Sequence, residues 1–205
     1  DIKTLTVFKV FSMTAITAIT AQNTNGVSSV ESVSLDLIKK QIEDCLSDIG
    51  VDAIKIGMVN KAEIFDLIFE ALRKHQIIKK GIPIILDPVM FAKGGFPLLE
   101  NQAISALKEF INKVDCIITP NIPEAETLSG LKISNKNDMI KAAKTIKING
   151  TSRILLKGGH LNEMDLCDIL YDKNKFFEFY SKKIDTKNTH GTGCTISSAI
   201  AANLS

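Results

Sequence analysis

Apolar positions along the chain alternate between short runs of β-branched residues and longer stretches in which they recur every three or four residues. The first pattern marks buried strands and the second amphipathic helices. Ile2, Leu5 and Phe8 stand about one helical turn apart, which predicts a helix already under way between Asp1 and Phe11. Ala15 to Ala21 is a predicted strand. From Leu35 to Ile49, Ile38, Ile42, Cys45, Leu46 and Ile49 share a helical face, with Gly50 as the stop. Ala53 to Ile56 is a short strand closed by Gly57. Asn60 with Glu63 resembles a capping box, opening a helix that carries Ile64, Leu67, Ile68, Ala71 and Leu72.

Downstream, Ile82 to Leu86 forms a predicted strand ending at Asp87 and Pro88. A helix follows around Ala103 to Ile111, then a strand from Cys116 to Thr119 ending at Pro120 and Asn121. Helices are expected near Glu124 to Leu128 and Asp138 to Ile148, the second stopped by Asn149 and Gly150. Ile154 to Leu156 is a strand running into Lys157, Gly158 and Gly159. Ile169 to Tyr180, turning at Asp172 to Asn174, reads as a hairpin. Thr189 to Gly193 then leads into a small-residue helix from Cys194 to Asn203. Strand and helix in alternation predict an α/β fold: a mostly parallel sheet covered on both faces, with the late hairpin as its antiparallel edge. With no internal repeat, low-complexity tract or linker, residues 1 to 205 are expected to form one domain.

Composition narrows the function classes. With 205 residues, 45% hydrophobic and 23% charged, the chain has globular rather than disordered or coiled-coil character. Its net charge of +2 argues against a nucleic-acid surface, which needs a basic stripe. The uncharged run from Val10 to Val30 has the length of a membrane span, but its Thr, Ser, Asn and Gln oppose burial in lipid. It reads as a buried strand and its following loop, so no membrane partner is expected. The four cysteines, Cys45, Cys116, Cys167 and Cys194, lie far apart without metal-ligand spacing. Neither a zinc site nor a disulfide framework is indicated, and with no leader peptide in view a reducing cytoplasmic home is expected.

Ligands of open α/β sheets bind outside the carboxyl ends of the strands. Polar residues and glycines cluster at four such ends: Asp87; Asn121 with Glu124; Lys157 to Gly159; and the turn Gly191, Thr192, Gly193. The turn, followed by Cys194 at a helix start, has the makings of an anion hole: glycines let N–H groups converge, and the helix end adds partial positive charge. A tight loop needing glycine for geometry alone is the plainer account. Cys194 either takes a proton from a substrate hydroxyl or helps to close the site, a small buried hydrophobe being its bland alternative. Lys157 suits a nucleotide phosphate or a solvated turn. Asp87 and Glu124, with Asn121, offer oxygens for Mg²⁺, although Asn121 and Glu124 also make a helix cap. His160 and His190 read as loop residues and His75 as a surface helix residue, while Cys45 and Cys116 read as core.

The chain resembles the hydroxymethylpyrimidine/phosphomethylpyrimidine kinases of thiamine biosynthesis, members of the ribokinase-like superfamily. The resemblance rests on Asp1 to Thr4, Thr17 and Ala18 with Ala21 to Thr24, Lys55 to Met58, Leu86 to Met90, Ile118 to Asn121, Pro123 to Ala125, Leu156 to Leu161 and Lys187 to Cys194. It implies a three-layer α/β/α sandwich and ATP-dependent phosphorylation of a hydroxymethyl aminopyrimidine and of its monophosphate. By the same resemblance, Gln22 pairs with the aminopyrimidine edge, Asp1 and Met58 lie near that pocket, and Val89 forms an apolar wall. Lys157 contacts a phosphate. Gly191, Thr192, Gly193 and Cys194 form the anion hole and its thiol, and a homodimer is expected. The family's first strand with its Gly/Ser-rich loop, and its helical end, are expected to be missing from this stretch.

Three other readings compete. Pyridoxal kinases share the scaffold and in some members a Gly-Thr-Gly-Cys turn. A non-catalytic pyrimidine-binding module would keep Gln22 and lose turnover. A hydrolase using Cys194 with His190 or His160 lacks an orienting third group.

Overall fold

Four short parallel strands carry the fold in the computed structural model, which describes residues 1–24, 26–91, 97–148, 153–159, 161, 165–186 and 188–205. They are β3 (Ile54–Ile56), β4 (Ile84–Leu86), β5 (Ile117–Ile118) and β6 (Arg153–Leu156). The antiparallel strands β7 (Asp165–Asp172) and β8 (Lys175–Lys182) complete a six-stranded sheet in the order β3-β4-β5-β6-β7-β8. The expected parallel sheet with an antiparallel edge hairpin is thus present.

Helices fill the connections: α2 (Leu35–Ser47), α3 (Ala62–Lys74), the single turn α4 (Ile77–Lys80), α5 (Asn101–Lys113), α6 (Ile122–Ser129) and α7 (Lys136–Ile148). Strand alternation divides the sheet's residues between two faces. Ile54, Ile56, Ile84, Leu86, Ile154 and Leu156 join the large core with Ile38, Ile64, Leu107 and Met139. Each fully buried aliphatic side chain there contributes about 1.5–3 kcal/mol. Lys55, Ile85 and Leu155 alternate to the opposite face, where α8 (Thr192–Leu204) packs across β3 and β4 and meets α1 (Ile2–Val7). That helix buries Ser197, Ser198, Ala201 and Ala202, so its backbone approaches the sheet closely. Helices on both faces make three layers.

Several boundaries differ from the sequence pattern. The first helix stops at Val7, and Lys9 takes a left-handed φ of 61° that ends it. Val27–Ser32 is a strand, β2, paired antiparallel with β1 (Ala18–Gln22) in a separate two-stranded sheet. The expected loop there is corrected: Ser28, Ser29 and Glu31 face solvent, so no apolar rhythm announces the strand. The capping box at Asn60 is also absent. Lys61 is the N-cap of α3 with no side-chain bond, and Asn60 is buried, donating to Ser32 Oγ. His75 is not a free surface residue; it caps the C-terminus of α3, half-buried, with Nε2 2.9 Å from Glu43. Cys116 and Cys167 are core residues, whereas Cys45 is only half-buried.

Candidate functional site

The residues that directly follow the four parallel strands, Gly57, Asp87, Thr119 and Lys157, line up along one edge of the sheet because neighbouring strands are in register. Asp87 is the centre of this row and is only 2% exposed. Its Oδ1 accepts from Thr119 Oγ1 at 3.2 Å and from Lys157 Nζ at 3.3 Å; its Oδ2 accepts from Ser197 Oγ at 3.4 Å. A buried carboxylate is tolerated when its charge is paired and its oxygens are engaged, and Lys157 supplies the charge while Thr119 and Ser197 add hydroxyls.

The start of α8 lies against this pair. Gly191, at φ 83°, is the N-cap, a left-handed conformation that glycine adopts without steric penalty. It offers no side-chain acceptor, and among the described residues no side chain caps the helix, so the N–H groups of Gly193 and Cys194 in the first turn can serve a ligand. A Cβ on Gly193 would stand 3.3 Å from Lys157 Nζ and 3.7 Å from Asp87 Oδ2, which shows how closely the helix start approaches the ion pair. Ammonium, helix dipole and free amides therefore converge on one spot, the arrangement that holds an anion. Cys194 follows at the same end, half-buried. Thr192 is exposed, its hydroxyl donating to the Thr189 carbonyl at 3.0 Å.

Asn121 and Glu124 form a full capping box at the start of α6: Glu124 N–H donates to Asn121 Oδ1 at 3.0 Å, and Asn121 N–H donates to Glu124 Oε2 at 2.8 Å. Burial pushes the Glu124 carboxyl up to about 7; the Asn121 N–H and the charge of Lys157 pull it back, and Asp87 pushes it further. Asn121 also pairs in parallel with Lys157, whose N–H donates to the Pro120 carbonyl at 2.9 Å. Asp87 and Glu124 are the carboxylates at this edge. Among the described residues no group of three or more His, Cys, Asp and Glu could hold a metal ion by itself. Two carboxylates suffice for Mg²⁺ when phosphate oxygens and water complete its shell.

A second group gathers next to β3. Asp1, the N-cap of α1, accepts from Lys55 Nζ at 3.0 and 2.9 Å and from Ser198 Oγ at 2.8 Å. The Met58 carbonyl accepts from Thr17 Oγ1 at 2.8 Å, tying the approach to β1 to the loop after β3. Val89, half-buried, lines a narrow cleft with Gly57, Val59 and Asp87. Gln22 ends β1, exposed, with its Oε1 3.5 Å from Thr20 Oγ1.

Asp87, Asn121, Glu124, Lys157, Gly191, Gly193 and Cys194 thus share one end of the sheet, and Asp1, Met58 and Val89 flank it from β3 and β4. Gln22 stands apart on the small sheet. His190 is exposed in the turn before α8, and no hydrogen bond joins it to Cys194 among the described residues; His160 lies outside them.

Sequence reasoning missed three residues. Asp168 Oδ1 accepts the Gly158 N–H at 2.8 Å and so anchors the loop that carries Lys157. Lys55 and Ser198 hold Asp1. A lysine inside an apolar strand and paired serines inside an apolar helix were the available signals. No described helix is long and apolar enough to cross a membrane.

The profile of the phosphomethylpyrimidine kinase family matches residues 1–205. A hydroxymethylpyrimidine/phosphomethylpyrimidine kinase of Bacillus subtilis (strain 168) is 43% identical over 172 residues, covering 83% of this chain and 62% of that protein. The crystal structure of a phosphomethylpyrimidine kinase from Clostridium difficile 630 superposes with a TM-score of 0.83 at 42% identity, over 99% of this chain and 81% of the other. A Bacillus subtilis pyridoxal kinase in an ADP complex superposes with a TM-score of 0.86 at 33% identity, over 99% and 75%. The chain spans less than two thirds of the length of several curated relatives it matches.

Proposed function

The chain belongs to the phosphomethylpyrimidine kinase family, and from that premise we propose that it transfers the terminal phosphoryl group of ATP to the hydroxymethyl group of an aminopyrimidine, and then to the resulting monophosphate. The observation that carries this reading is the approach of Gly193, at the start of α8, to the Lys157–Asp87 pair. Phosphoryl transfer needs positioning and a preorganised field around the transferring group, and little covalent chemistry from the protein.

In this scheme the amides of Gly193 and Cys194, within the turn Gly191 to Cys194, receive the terminal phosphate, and Lys157 neutralises developing charge. The hydroxymethyl oxygen forms its bond to phosphorus as the bond to the bridging oxygen breaks and ADP departs. Cys194 takes the hydroxyl proton. Asp87 and Glu124 would hold Mg²⁺, which when bound neutralises polyphosphate charge, and Asn121 keeps Glu124 in place. Gln22, Asp1, Met58 and Val89 form the pyrimidine side. An amide at Gln22 offers both a donor and an acceptor to the aminopyrimidine edge. The free thiols suit a reducing cytoplasm, and exposed Phe11, Ile16 and Ile19 suit a homodimer.

ADP release with hydroxymethylpyrimidine and with its monophosphate tests the reading. Transfer that falls in Cys194→Ala and Gln22→Ala supports it; no transfer to any pyrimidine overturns it. The pyridoxal kinase neighbour motivates a parallel assay with pyridoxal. A higher kcat/KM on pyridoxal would make that vitamer the substrate.

A further inference from the structure

Lys55 projects from β3 onto the face covered by α8, and its side chain is only 8% exposed. Its ammonium meets both oxygens of Asp1, at 3.0 and 2.9 Å, and the hydroxyl of fully buried Ser198 donates to Oδ1 at 2.8 Å. The ammonium packs directly over Gly57, where a Cβ would stand 2.8 Å from Nζ. Partners from two elements, β3 and α8, thus fix the Asp1 carboxylate.

An ionised carboxylate has about four acceptor positions. Lys55 and Ser198 occupy three of them, two on Oδ1 and one on Oδ2, which leaves one position on Oδ2 for a further donor. We propose that Lys55 and Ser198 are positioning residues, which aim the Asp1 carboxylate at a hydrogen-bond donor of the pyrimidine substrate. The inference rests on the reaction proposed above and names the residues that set its substrate side. The nucleotide side is built alike: Asp87 takes Lys157 and Ser197, so adjacent serines of α8 each bind one lysine-paired carboxylate. One helix thereby holds the two carboxylates in fixed relation, and a held carboxylate spends no ordering entropy when the substrate arrives.

The test is a kinetic cycle on the whole protein with Lys55→Met, Asp1→Asn and the double variant, each checked for folding by thermal melting. Lys55→Met is expected to raise KM for hydroxymethylpyrimidine about tenfold while KM for ATP moves by less than about twofold. In the Asp1→Asn background, Lys55→Met is expected to add nothing. Equal effects on both KM values, or a full Lys55→Met effect without the Asp1 carboxylate, would overturn the proposal. Should Lys55→Met not fold, Ser198→Ala runs the same cycle, with a smaller rise expected and the same overturning outcomes. Calorimetry of hydroxymethylpyrimidine binding separates the two layers. Wild type that binds and phosphorylates while the variants match it defeats the positioning role alone; wild type that neither binds nor phosphorylates defeats the reaction and the role together.

Discussion

Gly193 faces the Lys157 ammonium so closely that a methyl group on it would lie 3.3 Å from Nζ. Alanine favours helix over glycine by about 1 kcal/mol, so Gly193→Ala should leave the melting temperature unchanged or slightly raised. Lys157, however, must shift by a few tenths of an ångström, and the methyl enters the space proposed for the terminal phosphate. KM for ATP is expected to rise about tenfold. Gly191→Ala should behave in the opposite way. Its φ of 83° would cost alanine roughly 1–2 kcal/mol, lowering the melting temperature by a few degrees. Steady-state kinetics and calorimetric melts on the pair check the contrast.

Removing one member of the Asp87–Lys157 pair should cost more than removing both. Asp87→Asn leaves Lys157, whose side chain is 16% exposed, without its counter-charge. A loss of about 3 kcal/mol is expected, read by urea unfolding. Asp87→Asn combined with Lys157→Met should recover most of that stability while remaining inactive. A double variant no more stable than the single one would show that the pair contributes through packing rather than charge.

The sheet and the polar row at its edge were legible because buried parallel strands read as unbroken apolar runs. Ile84 to Leu86 and Ile154 to Leu156 end abruptly at Asp87 and Lys157, so the strand ends name their own polar residues. Local chemistry also exposed the cap at Asn121 and Glu124, where both partners lie within one turn. The clamp on Asp1 was invisible for the converse reason: Ser198 is 197 positions away and Lys55 54 positions away, and no spacing rule connects them. The strand Val27–Ser32 escaped because it lies in a two-stranded sheet exposed to solvent, which requires no alternation of apolar residues.

Cys194 can be distinguished from the other thiols by its surroundings. Cys116 and Cys167 are buried, while Cys45 and Cys194 are half-buried. Iodoacetamide should therefore label Cys45 and Cys194 in the free protein, and ATP with pyrimidine should protect Cys194 alone, as mapped by peptide mass spectrometry. If the thiol takes the hydroxyl proton, Cys194→Ala should lower kcat about a hundredfold with little change in KM for ATP. A decrease of only a few-fold would assign it to lining the site.

Glu124 makes stability depend on pH in a direction opposite to that of an ion-paired carboxylate. Burial raises its carboxyl from an ordinary 4.5 to about 7, so between those values the folded protein holds a proton that the unfolded chain has released. Stability should then fall as pH rises through this window, because ionising the buried group is disfavoured only in the native state. Below about pH 4.5 both states are protonated and this contribution is fully present; above about 7 both are ionised and it is gone, a change of about 3 kcal/mol. Glu124→Gln keeps an oxygen to accept the Asn121 N–H and cannot ionise. Urea unfolding of both proteins at pH 5 and pH 8 isolates the effect. The wild type is expected to lose about 2.5 kcal/mol relative to the glutamine variant over that interval, because part of the change already lies below pH 5, and parallel behaviour of the two would place the titrating group elsewhere. Adding Mg²⁺ and ATP should reduce the difference if Glu124 helps to hold the cation, since a nearby divalent charge favours the ionised carboxylate.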